Sequence, residues 1–107
     1  MSNFFKSEVV QDELNRMQSL YLEINRMGLL LSVDQKREQL DKMMELINLQ
    51  QTMYMRVTLS DDPQARALVE QVKSAATMLG MPPSDISPRF YDKLKENVQK
   101  MIDQLPN

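Results

Sequence analysis

The sequence has no cysteine, no histidine and no tryptophan, and it contains only two glycines. Without cysteine, neither a disulfide nor a thiolate site exists. Without histidine, the chain lacks the usual general base at neutral pH and the commonest ligand of transition metals. No glycine-rich phosphate cradle, nucleophile elbow or metal-ligand spacing occurs either. We therefore predict a non-enzymatic protein with no catalytic residues, no cofactor and no metal site.

Long apolar runs and charge clusters are also missing. The longest apolar stretch, Met27–Leu31, is far shorter than the ~20 residues that span a bilayer. No basic-then-apolar signal peptide precedes the fold, so the sequence predicts a cytoplasmic protein. The net charge is −2, and no segment is strongly basic. Because nucleic-acid binding needs clustered lysine and arginine, we do not expect nucleic acid as the main partner.

The residues that are present favour one small helical domain. The 107 residues, 42% of them apolar and 26% charged, are typical of a single soluble domain spanning residues 1–107. Leucine, methionine, glutamine, glutamate, lysine and arginine dominate, and these side chains lose little freedom in a helix. We predict an all-α fold, a long antiparallel hairpin of two helices with two shorter helices packed against it. The expected helices cover approximately residues 7–27, 33–58, 63–79 and 88–104.

Capping signals set the limits of the long second helix. Ser32 and Gln35 have the spacing of a capping box, and Asp62 before Pro63 predicts the start of the third helix. Gly28 is expected to end the first helix. The short apolar connector, residues 28–31, is expected to be buried against the two helices it joins. Residues 81–86 predict an extended linker before the fourth helix, because a proline disfavours helix at the preceding residue.

Apolar residues spaced alternately three and four apart predict the contact faces of the helices. In the first helix they are Val10, Leu14, Met17, Tyr21 and Ile24. In the second helix they are Leu40, Met43, Ile47, Tyr54 and Val57, with Gln50 at the remaining position and Gln51 beside it. In the fourth helix they are Tyr91, Leu94, Val98, Met101 and Leu105. The two glutamines either fix the register inside a contact or lie at its edge and reach water.

The second helix is apolar around too wide an arc for one neighbour. Leu46, Met53 and Val57 lie on one side of Ile47, and Met55 lies on the other. One neighbouring helix covers about 100° of this circumference, so the later helices or a second copy of the chain must cover the rest. We predict a homodimer formed through this arc.

Two further groups allow more than one interpretation. Asp61 and Asp62, with Glu70 two turns later, could bind a hard cation, but an aspartate before a proline more often caps a helix. Phe4 and Phe5 either staple the first helix to the core or present an anchor to another protein. We favour the cap and the staple.

Two stretches, Phe4–Gln11 and Leu59–Ala65, resemble a short family of uncharacterised proteins from cyanobacteria and the phages that infect them. The resemblance covers most of the chain, and these two stretches are its specific parts. It implies a cyanobacterial or cyanophage setting but no activity and no site residues. If the two stretches lie close together in space, Phe4, Phe5 and the turn of residues 60–63 form one composite surface.

The predicted function is a small interaction or regulatory module that binds a host protein complex through helix-in-groove or coiled-coil pairing. The candidate contact residues are Phe4, Phe5, Leu46, Met53, Met55, Val57, Ser60, Asp61 and Asp62. The alternative is a nucleic-acid or transcription accessory protein. It would use basic residues of the fourth helix, namely Arg89, Lys93, Lys95 and Lys100. The interleaved acids Asp92, Glu96 and Asp103 oppose this alternative.

Overall fold

The computed structural model describes residues 4–80 and 88–106. Within these ranges every regular element is a helix: α1 (Glu8–Met27), α2 (Val33–Leu59), α3 (Pro63–Met78) and α4 (Pro88–Asp103). The predicted all-α fold class is confirmed. The linker predicted for residues 81–86 lies outside the described residues. Among the described helices, none combines the length and the apolar character needed to cross a bilayer.

Local capping chemistry sets the ends of the helices. The Ser32 hydroxyl accepts a hydrogen bond from the Gln35 amide at 3.2 Å, and the Gln35 side chain accepts one from the Ser32 amide at 3.0 Å. This reciprocal pair is the predicted capping box. Gly28 follows α1 with a positive φ of 73°, a conformation that glycine adopts readily. The start of α2 is therefore encoded locally, by Ser32 and Gln35, which lie within one helical turn of each other.

Helix α2 is the centre of the fold, because each of the other helices packs against it. One core cluster joins α1, α2 and α3, and its buried members are Val10, Met53, Val57, Ala65 and Val69. A second cluster joins α2 to α4, and its buried members are Leu40, Ile47 and Val98. The apolar side chains of α2 are thus shared between two neighbours that follow it in the sequence.

This packing shows what covers the wide apolar arc of α2. Met53 and Val57 are only 9% and 4% exposed, because α3 lies over them, and α4 lies over Ile47. These side chains are therefore covered mainly by helices of the same chain. Met53 and Val57 were expected in an exposed arc, and the structure instead places them in a core cluster, while the dimer itself stays a prediction. Met55 and Leu59 remain exposed on α2.

Polar contacts fix the register between α1 and α2. The ion pairs are Glu13–Arg56 at 2.9 Å, Arg16–Glu45 at 2.9 Å and Glu23–Lys42 at 3.2 Å. The hydrogen bond from Arg16 lowers the pKa of Glu45 below its ordinary value. In these three pairs, residue numbers rise along α1 as they fall along α2. Arg16 and Glu45 are both about half-exposed, and a pair of this kind contributes little to stability. Glu13 and Lys42 are more buried, and the three pairs together favour one register.

Two predictions about the α1 end of the molecule are wrong. The connector was expected to be buried, but Leu29 and Leu30 are 92% and 100% exposed. Short connectors run over the surface because their backbone polar groups need water. Tyr21 was expected in the contact face of α1, but it is 61% exposed and Leu20 is fully buried instead. After Met17, the buried face of α1 continues three residues later at Leu20 and not four residues later at Tyr21. The Tyr21 side chain therefore points to solvent.

Candidate functional site

The N-terminal aromatic residues and the turn after α2 lie together, as the hypothesis of a composite surface required. The Phe4 amide donates a hydrogen bond to Asp62 Oδ2 at 3.0 Å. The other carboxylate oxygen, Oδ1, accepts a hydrogen bond from the Gln64 amide at 2.9 Å. This second bond caps the first turn of α3, which confirms the cap interpretation of Asp62. One carboxylate therefore ties the start of the chain to the start of α3.

The aromatic pair covers the core at this corner. The rings of Phe4 and Phe5 meet edge to face with centroids 4.9 Å apart. Both side chains are partly buried and pack against the core cluster that contains Val10 and Val57. This packing supports the staple interpretation over an anchor presented to another protein.

The turn itself is a local hydrogen-bonded unit. The Asp62 amide donates to the Ser60 hydroxyl at 3.0 Å, which fixes the turn between α2 and α3. Asp61 is exposed and lies 3.8 Å from Arg66. Within the residues that the structure describes, there is no cluster of three or more potential metal-ligating side chains.

The nine predicted contact residues do not form one free surface. Leu46 is half-buried, whereas Met53 and Val57 are internal. Met55 and Asp61 are the exposed members of the set. Met55 belongs to α2, and Asp61 belongs to the turn that follows it.

A groove of about 320 Å³ lies beside α2, between α3 and α4. Its floor is formed by α2 with one residue of α1, and its walls are one face each of α3 and α4. The lining residues are Met17, Gln50, Met53, Tyr54, Val57, Leu68, Val69, Phe90, Tyr91 and Leu94. Leu68 and Phe90 are both exposed at the edges of the walls. The groove can therefore receive apolar side chains from outside.

Aromatic rings line one side of this groove, from the floor to the α4 wall. Tyr54 and Tyr91 have ring centroids 5.9 Å apart, and Phe90 and Tyr91 have centroids 5.6 Å apart. Burial raises the pKa of Tyr91 above its ordinary value, and the nearby Tyr54 raises it further. Tyr91 is therefore neutral at physiological pH. A neutral aromatic wall suits the packing of apolar or aromatic groups.

The groove could not be read directly from the sequence. Tyr54, Tyr91 and Leu94 were assigned to helix contact faces, but their common location depends on how three helices meet. One local signal was available: Phe90 next to Tyr91 widens the apolar face of α4 beyond what α2 alone can cover. Leu68 next to Val69 does the same for α3.

The polar residues beside the groove decide the alternative left open for the two glutamines of α2. Gln50 is exposed at the lining, whereas the Gln51 side chain donates a hydrogen bond to Asp92 at 2.9 Å. Gln50 therefore lies at an edge, and Gln51 links α2 to α4. That bond lowers the pKa of Asp92, with a smaller contribution from Lys95. Lys95 Nζ lies 3.5 Å from Asp92 Oδ1, so one of the basic residues proposed for nucleic-acid binding is already paired with a carboxylate of this chain.

Comparison with known proteins gives a family but no activity. The model of a family described as a domain of unknown function (DUF1825) matches residues 2–105. Neither a curated protein nor a solved structure matches the chain. The match agrees with the resemblance to an uncharacterised family seen in the two sequence stretches.

Proposed function

Since the chain belongs to the family described as a domain of unknown function (DUF1825), we propose its function from its geometry: a non-enzymatic module that captures a helix of another protein. The capture site is the groove between α3 and α4. One observation carries this proposal. The walls of the groove expose Leu68 and Phe90 above a floor that is already apolar.

A helix fits this groove better than an extended strand does. The floor and both walls are helices, and side-chain ridges of one helix pack into the grooves of others. A partner helix with apolar residues at i, i+3, i+4 and i+7 presents a continuous stripe of the required kind. Its anchors would contact Met53 on the floor and Leu68 and Phe90 on the walls.

The frame that holds the groove open is an antiparallel hairpin of α1 and α2. The opposite order of the Glu13–Arg56 and Glu23–Lys42 pairs supports this arrangement. The hairpin supplies the floor, and α3 and α4 return to it separately. A partner would therefore bind a preformed site and lose little free energy to ordering the protein.

The homodimer stays a prediction with a smaller expected contact. With Met53 and Val57 internal and Leu46 half-buried, Met55 is the exposed member of the apolar arc of α2. The cyanobacterial or phage setting and the host protein complex also stay predictions. Both predictions can be tested by identifying a natural protein that competes with a captured helix for the groove.

The groove can be tested with one substitution and a matched control. Leu68→Asp places a charge at the edge of the groove, whereas Leu22→Asp places one on α1 outside it. The two leucines are 40% and 48% exposed, so both changes should leave folding similar. Amphipathic helices selected from a displayed library against the wild-type protein should bind Leu68→Asp at least tenfold more weakly, a loss of about 1.4 kcal/mol.

Methionine methyl groups report where the selected helices bind. Among the ten methionines, Met17 and Met53 line the groove, whereas Met55 faces solvent on another side of α2. In the ¹³C-methyl NMR spectrum, bound helices should shift the signals of Met17 and Met53 and leave Met55 unchanged. Equal binding by Leu68→Asp and Leu22→Asp, with no movement of Met17 and Met53, would contradict the proposal.

A further inference from the structure

We infer that the helix captured by the groove carries one neutral amide side chain, from glutamine or asparagine, within its apolar stripe. This inference rests on the proposed function, and it names the chemistry of the partner. It comes from two polar side chains that line the groove, Gln50 on α2 and Tyr91 on α4. A helix that fills the groove removes both of them from water.

Gln50 lies at the edge of the contacts within the chain, but it belongs to the line of residues that forms the groove floor. With a rotation of 100° per residue, Gln50 lies about 20° around α2 from Val57 and about 40° from Tyr54. All of these residues line the groove. The Gln50 side chain is exposed in the free protein, where water satisfies its amide. A captured helix would cover this amide together with the floor residues around it.

Other glutamines of α2 are bonded within the chain, and Gln50 is different. The Gln39 side chain donates a hydrogen bond to the Gly28 carbonyl oxygen at 3.1 Å. The Gln51 side chain donates one to Asp92 at 2.9 Å. Within residues 4–80 and 88–106, the Gln50 side chain makes no such bond. Its donor and its acceptor are therefore both available to a partner.

Tyr91 lies at the same level of the groove as Gln50. The hydrogen bond from Gln51 to Asp92 joins the residues that follow each of them in sequence. The Tyr91 ring also contacts Tyr54, which lies one helical turn after Gln50, with ring centroids 5.9 Å apart. Tyr91 is half-buried, and the hydroxyl of a neutral tyrosine both donates and accepts hydrogen bonds. One polar group of a captured helix can therefore meet the amide and the hydroxyl together.

A purely apolar stripe on the partner would leave these two groups without hydrogen bonds. A buried amide that loses water and gains no partner weakens binding. A second amide supplies both a donor and an acceptor, so it matches both groups of the Gln50 side chain. A single polar residue in an apolar helix contact also fixes the register of the two partners.

The partner group is an amide and not a charged group. Around Gln50, the lining residues of α2 and α4 carry no charge, and they include Met53, Tyr54, Phe90, Tyr91 and Leu94. A carboxylate or an ammonium group placed against them would be buried without a counter-ion from the floor or the α4 wall, which is costly. The electrostatic character of this part of the groove therefore matches a neutral polar group.

The test uses synthetic peptides of 16 residues, the length of α3 and of α4. The parent peptide is an amphipathic helix with an all-leucine stripe, and each stripe leucine is replaced in turn by glutamine. At one position glutamine should tighten binding about tenfold, because it satisfies Gln50 and Tyr91. At the other positions it should weaken binding, because it places an amide against apolar residues. Glutamate at the tightening position should bind more weakly than glutamine.

Substitutions in the protein give the matched control. Gln50→Leu should reverse the preference, so that the all-leucine peptide binds more tightly than the best glutamine peptide. Tyr91→Phe should reduce the preference several-fold. Asn48→Leu removes an exposed amide from the same helix, about 160° around α2 from Gln50, and should leave the preference unchanged. In the ¹⁵N NMR spectrum of the wild type, the best glutamine peptide should shift the side-chain amide of Gln50 and not that of Asn48.

The remaining outcomes separate this inference from the proposed function. If the all-leucine peptide binds most tightly and shifts Met17 and Met53, the groove captures helices but the inferred amide is wrong. The inference is also overturned if glutamate binds more tightly than glutamine, or if Asn48→Leu has the same effect as Gln50→Leu. If no peptide shifts the two methionines, both proposals fail. A dimer in light scattering from which Leu68→Asp releases monomers overturns the inference too, because a second copy is then the occupant.

Discussion

Replacing Asp62 tests whether one carboxylate holds the N-terminal corner together. Asp62→Ala removes the cap of α3, which is worth about 1 kcal/mol. It also removes the acceptor of the Phe4 amide, and a hydrogen bond to a charged group contributes about 1.5 kcal/mol. The free energy of unfolding should therefore fall by about 2.5 kcal/mol. For a chain of 107 residues, this lowers the Tm by about 10 °C.

Denaturant unfolding followed by circular dichroism measures this loss. Asp62→Asn retains one acceptor oxygen, so it should lose about half as much free energy as Asp62→Ala. The neighbouring Asp61→Ala is the control, because that side chain is exposed and its removal should change stability by less than about 0.5 kcal/mol.

Hydrogen exchange of the Phe4 amide gives a second measurement at the corner itself. The amide should be protected in the wild-type protein and should exchange rapidly in Asp62→Ala. Equal unfolding midpoints for Asp62→Ala and Asp61→Ala, with the Phe4 amide exchanging alike in both, would refute the shared-carboxylate reasoning.

Two other changes test the core and the groove wall. Leu40→Ala removes a fully buried side chain and should lower the free energy of unfolding by about 2 to 5 kcal/mol. Met55→Ala on the same helix should change it by less than about 0.5 kcal/mol, and equal losses in denaturant unfolding would mean that the buried face is misassigned. The raised pKa of Tyr91 means that the native state holds this proton more tightly than the unfolded state. Stability from this source is complete below the ordinary pKa of 10.0 and is lost as pH rises through the higher native value. When the pH is raised from neutral to above 10, the free energy of unfolding should therefore fall less for Tyr91→Phe than for the wild type. If the two proteins show the same slope of unfolding free energy against pH, the burial of the Tyr91 hydroxyl is contradicted.

Helix ends were predictable because their chemistry is local. Ser32 and Gln35 lie within one turn of each other, and Asp62 caps the helix that begins at the next residue. Such pairs depend on a few neighbouring residues and need no knowledge of the tertiary fold. The proximity of Phe4 to Asp62 was also predicted, from the expectation that the first two helices run antiparallel and bring those two segments to the same end.

Features that depend on the path of the chain were not predictable in the same way. The width of the apolar arc on α2 was visible in the sequence, but the sequence pattern did not show that α3 and α4 would cover it. Tyr21 was misplaced because a spacing of three and a spacing of four were both available after Met17. The groove escaped prediction because Leu68 and Phe90 belong to two helices that both pack on α2, and their relative placement depends on the tertiary fold.

The central position of α2 has a consequence for how the protein is made. Both helices that cover its apolar side are translated after it, and Val98 is added about fifty residues after Ile47. When α2 has emerged from the ribosome but α4 has not, Leu40 and Ile47 are not yet covered by α4, and α1 is the only one of the four helices that can already pack against α2. That intermediate is the form most prone to aggregate and the one that a ribosome-associated chaperone would recognise.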